Sequence, residues 1–401
     1  MATTVTLSEL LQPQFVLDLI SRVRPGQGAI GKWLGFQPNR FDPNSVALSG
    51  PATISGDLRN VTYRIFNAVR SVASGRAPGT GPGTIAENPM GQVQISCARF
   101  WEKIPLNYEM LGNLSPMIGP NSNIDAIGQS YIKQQSMFLA RRMAMMAEML
   151  SAAMMRDSLW LIMQGDNWTP SFTAPVFPQI GLQVNFQIPA GNKNKLNMLG
   201  LGDIITVSWG NVGAPILQNV ASIKAAFAQL HGWPLTDVWI NSLMWPNLIT
   251  NTGLRNAAGS SQTPFAEYKW TEERGMDGVP TGKYMAVLAA DPTITWHIDD
   301  DIISQGNSVD ISYSYSTGTA QKLIPDNMAI FTTSASPENA KMYLGGEPVV
   351  ENPGMPAVIR RGYYSWSEYV TQPSAIDLLS LGNMIPCLYN PLVFAPATVV
   401  F

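Results

Sequence analysis

Residues 122–164 read SNIDAIGQSYIKQQSMFLARRMAMMAEMLSAAMMRDSLWLIMQ, and this stretch decides the architecture. Ser122 with Asp125 three positions on is a capping arrangement at a helix start. From Asp125 to Gln164 there is no proline and the only glycine is Gly128, so a helix can run until Gly165-Asp166 stops it. At about 1.5 Å per residue such a rod is roughly 60 Å long. Its apolar positions are rich in methionine: Met137, Met143, Met145, Met146, Met149, Met154, Met155 and Met163. Beyond residue 136 its only charges are Arg141, Arg142, Glu148, Arg156 and Asp157. They are too many for a bilayer span and too few for a helix wrapped in water. The rod must be covered on more than one side.

Upstream, Asn60 to Val72 and Gln92 to Leu106 alternate as strands, through Val61, Tyr63 and Ile65, then Val93, Ile95, Cys97 and Ile104. The loop between them, SGRAPGTGPGTIAENPMG at 74–91, is too long and glycine-rich for a tight turn. A hairpin of that reach cannot hold itself together in water and needs a neighbour. Residues 1–50 predict an arm: a short helix from Ser8 to Val23, then Trp33, Phe36 and Phe41 set among Gly28, Gly31, Gly35, Pro38 and Pro43. Such punctuation forbids a long element, yet the aromatics need burial against a partner surface.

Downstream, strands are expected at Gln183 to Ile188, Ile204 to Trp209 and Thr236 to Asn241. Helices are expected after Asn219 (Val220, Ile223, Phe227, Leu230) and from Leu243 to Leu254. Glu267 to Asp277 reads as a polar excursion. Tyr284 to Ala290, Ile294 to Ile298, Val309 to Tyr315 and Met328 to Thr332 read as strands, followed by a tail of strands separated by prolines.

The composition narrows the function. Only 13% of the 401 residues are charged, against roughly a quarter in ordinary domains, which implies large covered interfaces. A net charge of −3 without a basic stripe speaks against general nucleic-acid binding. Two cysteines, Cys97 and Cys387, exclude a disulfide scaffold and read as buried thiols, with a single bridge between them as the alternative. The N-terminus has neither a basic nor an apolar signal region, and no stretch is apolar enough to span a membrane.

Catalytic motifs are missing or broken. His231 and His297 are the only histidines, and neither has a second ligand at zinc spacing. No Gly-x-Ser-x-Gly elbow is present. Residues 275–284 resemble a phosphate loop, but Asp277 replaces its first glycine and Tyr284 its metal-binding hydroxyl. Asp299-Asp300-Asp301 offers hard oxygen ligands for calcium or magnesium but lacks EF-type spacing, and reads as a solvated turn. No catalytic, cofactor or metal residue is assigned.

The order of arm, long hairpin, rod helix, α/β unit and returning strands resembles the Hong Kong 97 phage capsid fold. Within it, three segments are similar to the lambda-type major capsid protein family, also called major capsid protein E. They are Leu323-Ile-Pro-Asp-Asn-Met-Ala-Ile-Phe331, Val238-Trp-Ile-Asn-Ser-Leu-Met-Trp245-Pro-Asn-Leu248, and Tyr389-Asn-Pro-Leu-Val393. The resemblance implies an α+β fold with an N-arm (1–50), an E-loop (51–111), a peripheral domain (112–213) with its spine helix at about 125–164, an axial domain (214–335), and peripheral return strands (336–401). It also implies a structural protein of the virion, assembled in the host cytoplasm and not an enzyme, whose pentamers and hexamers close an icosahedral shell. Double-stranded DNA is packaged there without sequence-specific contact, with a portal at one vertex. No charged helical segment precedes the arm, so a separate scaffold protein is expected. The loop at 74–91 lacks lysine, which argues against a covalent crosslink and for a decoration protein or non-covalent arms. Trp33, Phe36, Phe41, Arg76, Ile85 and Met90 are the expected inter-subunit contacts. Two other readings stay open: a phage tube or connector protein, and an enzyme whose site gathers around His231, His297 or residues 299–301.

Overall fold

The rod is a single α-helix, Ile124–Arg156, in the computed structural model. The structure describes residues 29–36, 53–56, 60–66, 90–107, 124–164, 167–175, 181–258, 264–274, 280–300, 302–304, 320–349, 356–371 and 374–401. The helix ends eight residues before the expected stop at Gln164, a correction with a local cause. Asp157 takes a left-handed φ of 49°, which breaks the helical run. Its carboxylate accepts from the Phe186 amide at 2.8 Å and pairs with Lys193. The apolar run that follows, Leu159–Gln164, is instead a strand between Asn167–Ser171 and Gly181–Val184.

The helix lies against a six-stranded sheet built on the antiparallel hairpin Val358–Thr371 and Ser374–Leu388. The second of these strands also pairs with Ala98–Asn107 and, near its end, with Ala340–Leu344. Thr53–Ser55 and Gly346–Val349 complete the sheet. Gly382 marks a close approach, because a Cβ there would stand 3.0 Å from Met143 Sδ. Arg142 locks the same crossing with a bidentate pair to Glu102, at 2.6 and 2.5 Å. That pairing raises the Arg142 pKa. At the helix end Arg156 stacks on Phe172 and donates to the Lys322 and Leu323 carbonyls. Burial lowers its pKa to about 10.

A second six-stranded sheet carries the α/β unit. Its central strands, Asp237–Ile240 and Asp291–Ile298, are parallel, and its other pairings are antiparallel. Strand alternation divides two cores between its faces. Val238, Ile240, Trp296, Ile298 and Phe331 pack with Val220, Ile223, Leu248 and Leu254 of the helices Ile216–Ala226, Trp245–Thr250 and Thr252–Ala257. Trp239, Ile330 and Phe394 face the other way, into the core of the long helix. The α/β core also draws in Leu196, Ile205 and Trp209 from before residue 214, and Ala395, Ala397 and Val399 from the tail.

Several local expectations change. Ile204 to Trp209 is not a strand: Ile205 and Trp209 are buried anchors of a folded loop whose amides bond to Lys195 and Val399 carbonyls. The polar excursion at 267–277 is the strand Phe265–Arg274, at the sheet edge, where charged residues discourage further pairing. Helix Ile216–Ala226 starts at Pro215, ahead of Asn219, and continues as a π turn through His231. Asn251 splits the expected helix from Leu243 to Leu254, capping Leu254 with its side-chain oxygen and bonding the Val212 and Ala214 carbonyls with its amide. The expected elements at Ser8 to Val23 and Val309 to Tyr315, and the Ser122 cap, lie outside the described residues.

Candidate functional site

Arm, long helix and α/β sheet meet at one junction. Residues Ala29–Leu34 form a single-turn-and-a-half helix ended by Gly35 at φ 73°. So short a helix has no stability of its own; Ile30, Leu34 and Phe36 bury it in the core of the long helix, and two further contacts fix it there. Its first amides, Ile30 N–H and Gly31 N–H, donate to Glu148 Oε1 and Oε2 at 2.7 and 2.8 Å. Glu148 comes from the middle of the long helix and is 0% exposed, so its charge is balanced by the arm's N-terminal amides and helix dipole. The second contact is aromatic. Trp33 sets its edge on Trp239 at 5.6 Å and on His297 at 6.1 Å.

His297 and Trp239 are register partners on neighbouring parallel strands and stack at 4.3 Å. Asp237 Oδ1 accepts from His297 Nε2 at 2.7 Å, and Thr236 donates to Asp237 Oδ2 at 2.6 Å. A His–Asp pair invites a catalytic reading. Here the ring is walled by two tryptophans and buried, and the one hydroxyl in the chain of bonds is already spent on the carboxylate. The geometry is that of a structural clamp. His231 is likewise buried and bonds the Asn192 side chain, and burial lowers its pKa. Asp299 is 1% exposed, which corrects the solvated-turn reading at that residue, while Asp300 is exposed and accepts from the Ser242 amide at 2.8 Å. Asp301 lies outside the described residues. Among the described residues no group of three or more His, Cys, Asp or Glu is arranged to hold a metal ion, and no helix is long and apolar enough to cross a membrane.

Of the expected contact residues, Trp33 is half-buried at this junction and Phe36 is 1% exposed in the chain's own core. The Phe36 side chain is therefore covered within one subunit, because the arm helix folds back onto the long helix. Met90 opens the strand Met90–Ser96, which pairs with Asn60–Phe66 at the hairpin root. Phe41, Arg76 and Ile85 lie outside the described residues. Sequence reading missed Glu148, although it is the single charge in MAMMAEMLSAAMM at 143–155. It also missed an apolar surface on the α/β unit: Leu199, Leu201, Val207, Val212, Leu230 and Leu243 are exposed there, Leu201 by 89%. From 196 to 266 the only charges are Asp203, Lys224, Asp237 and Arg255, and two of them are engaged, Lys224 by Asp291 and Asp237 by His297.

No family model and no curated protein matches the chain. Solved structures do. A phage-related protein from Bordetella bronchiseptica RB50 is similar over 96% of both chains, with 11% identity and a TM-score of 0.49. A protein provisionally described as the capsid protein of an Escherichia coli CFT073 prophage is similar over 78% of this chain and 80% of that one, with 11% identity and a TM-score of 0.45. The capsid subunit of a native gene transfer agent particle covers 87% and 88%, with 9% identity and a TM-score of 0.40. At identities this low the likeness concerns the course of the backbone alone.

Proposed function

We propose that this chain is the major capsid protein of a tailed bacteriophage, a Hong Kong 97-like shell subunit without catalytic activity. The observation that carries the reading is the joint itself. One long helix lies on a peripheral sheet, takes the arm through Glu148, and meets through Trp239 an α/β unit that leaves Leu199, Leu201, Val207, Val212, Leu230 and Leu243 exposed. A subunit exposed to water on all sides would aggregate through such a surface. A subunit in a closed assembly buries it against copies of itself.

In this reading the α/β unit around 214–335 is the axial domain, and its apolar side chains meet their counterparts within pentamers and hexamers. The hairpin of 51–111 reaches a neighbouring subunit through Arg76, Ile85 and Met90, and the arm does so through Phe41 and the open side of Trp33. The virion is the chain's location and the host cytoplasm its place of assembly. A scaffold protein, a decoration protein and a portal are its partners, and the mildly acidic surface lets packaged DNA pass without sticking. Deleting residues 74–91 is expected to leave a soluble, folded chain with the circular dichroism of the intact protein and to abolish shells in electron micrographs. Shells that form unchanged would overturn the role given to the hairpin.

A further inference from the structure

The segment 196–204 of the α/β unit is a loop closed at its base and braced from within. At the base, the Ile204 and Ile205 amides donate to the Leu196 and Lys195 carbonyls at 2.9 and 3.0 Å, and the Leu196 and Ile205 side chains are anchored in the α/β core at 0% exposure. Inside the loop, the Gly202 amide donates to Asn197 Oδ1 at 3.1 Å and the Gly200 amide to the Asn197 carbonyl at 3.3 Å. Gly200 and Gly202 take φ of 67° and 122° with open space where a Cβ would stand, so they serve the course of the backbone and not a tight fit. Leu196 holds φ 58°, a strained conformation for a leucine. What this bracing presents outward is Leu201, 89% exposed, with Leu199 and Asp203 exposed beside it.

Asp203 and Arg255 are the two charges left over from 196 to 266 once Lys224 and Asp237 have found their partners, and both are exposed. Among the described residues neither has an ion pair or a side-chain hydrogen bond. Lys195, the base nearest to Asp203 in sequence, lies over the Phe401 ring at 4.0 Å instead. Arg255 stands three positions after Thr252 on the helix Thr252–Ala257, and both are exposed, so they share its outer face. Val212, also exposed, is tied to that face, because its carbonyl accepts from the Thr252 amide and hydroxyl at 3.0 and 3.2 Å. The unit thus carries an apolar tip beside an acid on one element and an apolar side chain beside a base on another. A two-fold contact of tip on tip would set Asp203 against Asp203. A head-to-tail contact sets acid against base.

We infer that the loop 196–204 is a preformed knob: Leu201 of one copy of this chain docks against Val212 of the next copy, and Asp203 pairs with that next copy's Arg255. The inference rests on the capsid reading and specifies a contact inside its pentamers and hexamers. Because knob and receiving surface differ, the contact repeats head to tail, and a ring closes it without a free end. A loop already fixed before docking loses little freedom on binding.

The test uses the full chain, with assembly followed by light scattering and negative-stain electron microscopy. Asp203→Arg and Arg255→Asp each set like charges together, and each is expected to raise the concentration for half-assembly about tenfold or more. Circular dichroism and Tm should stay those of the natural chain, because both residues are exposed. The double variant should assemble again. An equimolar mixture of the two single variants should also assemble, but only into rings of even order, because each variant then docks solely on the other. Hexamers return and pentamers do not. Single variants that assemble unchanged would overturn the inference, as would a double variant and a mixture that both fail. A fall of Tm in the single variants would overturn it too, since the charges would then act within the fold. A natural chain that forms no oligomer at any concentration would overturn the capsid reading together with this contact, whereas rings indifferent to the charge swaps would overturn this contact alone.

Discussion

Replacing Glu148 by alanine is expected to release the arm helix. Two amides at its N-terminus, Ile30 and Gly31, lose the carboxylate that satisfies them, and Ile30 is fully buried. Each buried orphaned donor costs roughly 1–3 kcal/mol, so roughly 2–6 kcal/mol in all. The chain escapes most of that cost by undocking the arm, since the amides then bond to water. The loss therefore falls on docking before it falls on the fold. Limited proteolysis between the arm and the first strand is expected to accelerate at least tenfold, with a smaller fall in Tm. Glu148→Gln should lie between, because it keeps one oxygen acceptor but turns an amide donor toward the Gly31 or Ile30 N–H. Unchanged protection of the arm in Glu148→Ala would sink this account of the junction.

The second large effect is expected at Trp239. Its side chain is buried, stacks on His297 and receives the edge of Trp33, so it belongs at once to the α/β sheet and to the core of the long helix. Trp239→Ala removes the shared wall and should cost about 3–5 kcal/mol. Trp239→Phe should cost far less, because the indole Nε1 has no hydrogen-bond partner to lose. Denaturant titration of both variants checks the pair. Equal losses in the two would mean that an unseen polar contact, and not the packed ring, holds the joint.

Both residues show where sequence reading reached and where it stopped. Periodicity and punctuation found the rod, the hairpin strands, the Trp245 helix and the closing strands, because those signals are local. The rod's end was not local. Leu159–Gln164 carries no glycine or proline, and the break depends on Asp157 finding Phe186 and Lys193 across the fold. The edge strand Phe265–Arg274 looked like a loop because its charges suit an edge. Glu148 stood out as a lone acid in an apolar run, but its partners lie 117 and 118 positions away. Asp237 and His297 are 60 positions apart, and only the parallel pairing of their strands makes them neighbours. The apolar surface of the α/β unit was invisible for the opposite reason: leucines and valines at those positions read as core until the fold leaves them outside.

In the proposed function this low-charge chain covers itself with copies of itself. Negative-stain electron microscopy of the full chain expressed alone, with light scattering on the same sample at rising concentration, tests that most directly. The account predicts closed shells, or pentamers and hexamers of wedge-shaped subunits. Open tubes, rings of any other order, or a chain that stays monomeric at every concentration would contradict it.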